Sequence, residues 1–160
     1  MADDYSNVPI LFMIFNRPDT TAKVFETIRS ARPPRLYVAA DGPRSGRGGE
    51  EERCAQVRRI TENVDWPCEV RRLYRAENLG CKKAVSSAIT WFFEHEEEGI
   101  ILEDDCLPDP SFFPYCGAML ERYRNDEKIL MIAGSDCSRR KRAGGPSYYL
   151  ATYFPIWGWA

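Results

Sequence analysis

Three consecutive carboxylates, Glu103-Asp104-Asp105, follow directly on the apolar run Ile100-Ile101-Leu102. Adjacent carboxylates repel one another, and beside low-dielectric walls they need a cation or hydrogen-bond donors. A magnesium-sized ion takes one or two protein carboxylates and fills its shell with phosphate oxygens and water. Carboxylates delivered by a buried strand therefore suit the anchoring of a metal–diphosphate, whereas the same three letters on an exposed loop are a solvated acidic turn. Alternation along an extended chain puts Glu103 and Asp105 on one side and Asp104 on the other. Polar groups also end the other apolar runs. Asn16 and Arg17 follow residues 8–15 and Asp41 follows 36–40, while Arg75, Glu77 and Asn78 follow the more polar strand at 68–74. Arg17 can neutralise phosphate or make a surface salt bridge. Asp41 can accept from a base or ribose, or belong to an Asp-Gly turn. Lys82 and Lys83, just after Gly80, stand where free helix N–H groups favour phosphate.

The elements that must position these residues are legible as alternating patterns. Residues 8–15 are apolar and of strand length, as expected for a strand covered on both faces. Pro18 starts a helix with Thr21, Val24, Phe25 and Ile28 at helical spacing, and Pro33-Pro34 stops it. A second buried strand at 36–40 ends at Asp41-Gly42, and the Gly- and Arg-rich stretch 43–50 is a loop. A weakly amphipathic helix over 51–63 and a strand over 68–74 come next. Asn78-Leu79-Gly80 opens a helix with the stripe Val85, Ala88, Ile89 and Phe92. A short strand at 99–102 carries the acidic triplet, and Phe113, Cys116, Leu120 and Tyr123 mark another helix. Residues 129–133 read as a further strand, and 148–154 as an edge strand. This alternation predicts an α/β fold: one domain over 1–160, with a mostly parallel sheet and helices on both faces. Such sheets bind ligands beyond the carboxyl ends of their strands, where the polar groups above collect.

Composition excludes several other classes. A net charge of -2 gives no electrostatic reason to expect nucleic acid or an anionic membrane. The basic run Arg139, Arg140, Lys141, Arg142 reads as a solvated loop. No stretch nears the ~18–20 apolar residues of a membrane span. The first residues lack the charged and apolar regions of a signal peptide, which points to a cytoplasmic protein. The six cysteines are irregularly spaced with no Cys-x-x-Cys, so reduced, unpaired thiols are expected. A single histidine, His95, lends little to zinc sites or histidine triads. No Gly-x-x-x-x-Gly-Lys-Ser/Thr occurs, and Gly46-Arg47-Gly48-Gly49 does not follow a strand as a dinucleotide fingerprint would. The tail Tyr153-Phe154-Pro155-Ile156-Trp157-Gly158-Trp159 is either core packing or an apolar platform for a sugar ring.

Several of these segments resemble a known family. Pro9-Ile10-Leu11 leading to Asn16-Arg17-Pro18, and Glu103-Asp104-Asp105 leading to Pro108-Asp109-Pro110-Ser111-Phe112-Phe113, look like GT-A glycosyltransferases of the group related to N-acetylglucosaminyltransferase I. There Glu-Asp-Asp is the local form of the Asp-x-Asp motif. The tail Phe154-Pro155-Ile156-Trp157-Gly158-Trp159 is similar to that family's Phe-Pro-x-x-Gly-Trp segment. The resemblance runs from about Val8 to the end and is weakest over 43–68. It implies a Rossmann-like GT-A core and transfer of a sugar from a nucleotide-diphosphate sugar, commonly a UDP-sugar, to the hydroxyl of a glycan or other acceptor, with inversion. It also implies that Asp105 ligates Mn²⁺ or Mg²⁺, that Glu103 and Asp104 bind donor sugar and ribose, and that Asn16, Arg17, Asp41 and Lys83 lie on the nucleotide and its phosphates. The family continues into an acceptor region bearing the catalytic base, so the chain is expected to be its donor-binding half, with no base assigned. A sugar nucleotidyltransferase shares the sheet and acidic site but needs a Gly-rich loop after the first strand. A non-catalytic donor-binding fragment is the other alternative.

Overall fold

The run Ile10-Leu11-Phe12-Met13-Ile14 has no polar side chain to present to water. In the computed structural model it forms the central strand β1 (Ile10–Ile14), buried at every position. The structure describes residues 7–135, 147–153 and 155–160. The basic run 139–142, Cys137 and Phe154 lie outside them. Among the described residues, β1 is joined by β2 (Arg35–Ala40), β3 (Glu69–Tyr74) and β4 (Ile100–Glu103) in the order β3-β2-β1-β4. All pairings are parallel, with Ile10 facing Leu36 on one side and Ile100 on the other. The connecting helices are α1 (Pro18–Ala31), α2 (Glu50–Glu62) and α3 (Cys81–Phe93), and α4 (Phe112–Tyr123) follows β4.

Strand alternation sorts the core into two layers. Ile10, Phe12 and Ile14, with Leu36 and Val38, pack against Val24 and Ile28 of α1, Val57 of α2 and Phe113 and Cys116 of α4. On the opposite face Leu11, Met13, Tyr37 and Ile101 pack against Ala88 and Phe92 of α3. The expected α/β architecture, a parallel sheet with helices on both faces, is therefore present. Its order has a functional consequence. The chain steps from β1 to β2 to β3 in one direction, then returns past β1 to β4. The reversal puts the carboxyl ends of β1 and β4 at the switch point of the sheet, the place where ligands of such sheets bind.

Two expected strands do not form. Residues 129–133 contribute a single antiparallel bridge, Ala133 to Trp159, and Leu130 is 87 % exposed. The reason is that Trp159 already occupies the edge of β4: the Ile101 N–H donates to its carbonyl at 2.7 Å, and the Trp159 N–H donates back at 3.2 Å. The described part of 148–154, residues 148–153, contains no strand either. The five described cysteines are unpaired, with Cys54, Cys106 and Cys116 buried. Burial pushes the Cys106 thiol up to about 11 and the Cys116 thiol up to about 12. No described helix is long and apolar enough to cross a membrane.

Candidate functional site at the exits of β1 and β4

The three residues leaving β1 are each held by an acidic side chain. The Phe15 N–H donates to Asp104 Oδ2 at 3.1 Å. Asn16 Nδ2 donates to Glu50 Oε1 at 2.8 Å. Arg17 Nη1 donates to Asp105 Oδ2 at 2.5 Å and to Asp104 Oδ1 at 3.3 Å. Arg17 is also the N-cap of α1 and offers that helix no side-chain cap. Its guanidinium therefore lies near the positive end of the helix, and the two carboxylates offset that unfavourable placement.

The acidic triplet departs from the alternation expected of an extended chain. The strand ends at Glu103, and a turn closes with the Cys106 N–H donating to the Glu103 carbonyl at 3.1 Å. That turn brings Asp104 and Asp105 to one guanidinium instead of opposite sides. Asp104 is buried and Asp105 half-buried. Burial, and then the neighbouring Asp105 and Asp104, raise the Glu103 carboxyl above its ordinary range. Asp104 is also raised, by burial above all, against the pull of the Phe15 N–H and Arg17. Three carboxylates share one guanidinium here, so the cluster remains short of positive charge.

Asp41 and Asn16 are anchored more tightly than the sequence implies. Asp41 is buried, and its carboxylate accepts from the Gly42 N–H at 3.0 Å, from Asn78 Nδ2 at 3.0 Å and from the Leu79 N–H at 3.0 and 3.2 Å. Asn78 Nδ2 also donates to the Gly42 carbonyl at 2.8 Å. Arg58 Nη2 joins the same two loops by donating to the carbonyls of Asp41 (3.3 Å) and Arg75 (2.6 Å). The Asp-Gly pair thus clasps the loop after β3, which leads into α3. Lys83 lies exposed in the first turn of α3, as expected, but it makes no side-chain hydrogen bond or ion pair with the described acids. The structure brings Arg17 to Asp104 and Asp105; it does not bring Lys83 to them.

Sequence reasoning missed Arg44 and Glu50. Glu50, the first residue of α2, is 1 % exposed. It accepts from the Arg44 guanidinium at 2.5–3.1 Å, from the Arg44 N–H at 2.7 Å and from Asn16. The Arg44 guanidinium also lies 5.5 Å from the centre of the Phe15 ring. These contacts hold the Glu50 carboxyl down at about 2, the Arg44 side chain contributing most. A carboxyl depressed from 4.5 stabilises the fold fully above about pH 4.5 and loses that contribution as pH falls toward about 2. The gap in urea midpoint between the parent and Glu50→Gln should therefore be constant near neutrality and narrow between these values. A gap unchanged down to pH 2 would show that the charge of Glu50 is irrelevant.

Beyond β4, a cavity of about 1540 Å³ is lined by Leu102, Cys106, Phe112, Tyr115 and Trp157 among others. The tail divides between the two readings it allows: Trp159 packs against the sheet, while Tyr153, Ile156 and Trp157 are exposed. Among the described residues no group of three or more His, Cys, Asp or Glu side chains converges on a metal position. The donor set nevertheless fits an ion completed by a ligand. Asp105 is half-buried at the switch point and makes no backbone hydrogen bond comparable to that of Asp104. One such carboxylate, with phosphate oxygens and water, is a common arrangement for Mg²⁺. Neither the models of known protein families nor the curated proteins searched give a match to this chain.

Proposed function

We propose that the β1–β4 switch point binds a nucleotide-diphosphate sugar with a divalent cation, as the donor site of a glycosyltransferase. The observation that carries this reading is the meeting of Arg17, Asp104 and Asp105 at the switch point of a parallel sheet. The resemblance of Glu103-Asp104-Asp105 and its flanks to GT-A enzymes supports it. Asp105 is the protein's metal ligand, and the ion, Mn²⁺ or Mg²⁺, supplies neutralisation of the charge developing on the departing diphosphate. Arg17 turns its guanidinium to the phosphates. Asp104 keeps the acidic turn docked on β1 through the Phe15 N–H, and Glu103 faces the sugar side. Asn16, steadied by Glu50, and Asp41, through the loops it joins, shape the nucleotide side, with Lys83 placed for long-range attraction of phosphate. The acceptor is a glycan or other hydroxyl compound, and the unpaired described cysteines favour a cytoplasmic setting.

Thermal unfolding tests the reading directly. A UDP-sugar at about 100 times its Kd in the presence of Mn²⁺ should stabilise the protein by about 2.7 kcal/mol. For a domain of this size that corresponds to a Tm rise of roughly 5–10 °C. A nucleoside monophosphate without metal should do little. Equal shifts with and without Mn²⁺ across nucleotides would remove the acidic cluster from the explanation.

A further inference from the structure

Arg17 already places a positive charge where the proposed ion would stand. Its Nη1 lies 2.5 Å from Asp105 Oδ2 and 3.3 Å from Asp104 Oδ1. The two acids are not equally committed. Asp104 is 9 % exposed at its side chain and also accepts the Phe15 N–H, which fixes it to β1. Asp105 is 34 % exposed, and Arg17 is its close ion-pair partner. The Arg17 side chain is 56 % exposed, so its long stem can swing without disturbing the core. A guanidinium and a divalent ion cannot hold the same carboxylate oxygen without strong repulsion at contact distance.

We infer that Arg17 is a resident counter-cation that competes with the divalent ion for Asp105, so that the ion binds together with a diphosphate and not ahead of it. The inference rests on the nucleotide-sugar reading above and adds an order of events to it. An arriving diphosphate offers the guanidinium a second anion, in bidentate geometry that suits arginine. The position of Arg17 at the N-terminus of α1 favours the exchange, because that end of the helix repels the guanidinium and attracts phosphate. Once Arg17 has turned, Asp105 is free to ligate. Metal and nucleotide then raise each other's affinity by the same factor, as linkage requires. A site built this way does not fill with metal while no donor is present.

The test is Mn²⁺ binding, followed by the magnetic resonance signal of the free ion, with and without UDP. The parent should take up Mn²⁺ alone weakly, with UDP raising its affinity by about tenfold or more. Arg17→Gln should bind Mn²⁺ alone about tenfold more tightly than the parent, and UDP should add much less. Arg17→Lys, which keeps the charge but not the bidentate fork, should hold Mn²⁺ alone within about threefold of the parent while UDP adds less. Parent-like Mn²⁺ affinity in Arg17→Gln, beside intact Mn²⁺–UDP binding in the parent, overturns the inference alone. So does an equal UDP effect in the parent and Arg17→Gln, or Arg17→Lys binding Mn²⁺ alone as tightly as Arg17→Gln. A parent that takes up no Mn²⁺ even with UDP overturns the donor-binding reading, and the inference with it.

Discussion

Gly42→Ala should lower stability by about 2–4 kcal/mol, a Tm fall of roughly 5–15 °C, and loosen the loops after β2 and β3 with it. A methyl group at residue 42 would lie 2.5–2.6 Å from the C, N and O atoms of Glu77. These are backbone atoms, so no rotamer change can make room, and the loops after β2 and β3 must separate. That separation pulls on the hydrogen bonds that Asp41 accepts from Asn78 and Leu79, and on the one Asn78 gives to the Gly42 carbonyl. Each buried polar group left without its partner costs about 1–3 kcal/mol, so the loss of one or two of these bonds accounts for the range. Gly48→Ala is the control, since nothing lies within 4 Å of its added carbon and its backbone is not left-handed. It should unfold within about 0.5 kcal/mol of the parent. Calorimetry of both variants decides the matter: a Gly42→Ala midpoint equal to that of Gly48→Ala would mean that the two loops are not in close contact.

The clasp also shows where sequence stops being informative. Asp41-Gly42 is legible as a turn because Asp and Gly are turn formers that follow a buried run. That its partner is Asn78-Leu79 depends on β2 and β3 being neighbours, a fact of tertiary pairing. β1, β2 and β4 were readable from apolar runs of the right length, and Pro18 marked the start of α1 to the residue. Residues 129–133 misled for a physical reason. An apolar run says that it will be covered, not by what, and here Trp159 holds the edge of β4 through Ile101. At the candidate site, Arg17 and the acidic triplet stood out in the sequence because charged groups follow buried strands. Glu50 was hidden, since Glu50, Glu51 and Glu52 are identical letters and only the first meets Arg44 and Asn16. The facing of Asp104 and Asp105 toward one guanidinium was hidden too, because the turn after Glu103 breaks the alternation that holds within a strand.

Asp105→Asn should weaken metal-dependent donor binding by on the order of 100-fold, while the protein stays folded. The amide keeps the size of the carboxylate but offers a neutral oxygen, a poor substitute toward a hard divalent ion. Stability should change little because two effects oppose. The substitution removes the Arg17–Asp105 ion pair, whose arginine is more than half exposed, and pairs of that kind contribute at most about 1 kcal/mol. It also relieves repulsion on Glu103, whose carboxyl is raised by Asp105 after burial. Asp104 still accepts the Phe15 N–H, so the turn remains docked on β1. Asp109→Asn provides the comparison. Asp109 lies in the exposed turn before α4, where its Oδ1 accepts from the Ser111 N–H at 2.9 Å and from the Ser111 hydroxyl at 2.7 Å. An amide oxygen can accept the same bonds, and donor binding should be nearly unchanged. Titrating a UDP-sugar with Mn²⁺ into both variants, with circular dichroism as the check on folding, separates the outcomes. Parent-like binding by Asp105→Asn, or equal losses in the two variants, would show that the ion is not held at Asp105. Unfolding of Asp105→Asn would mean that this carboxylate serves the fold, through Arg17, before it serves any ligand.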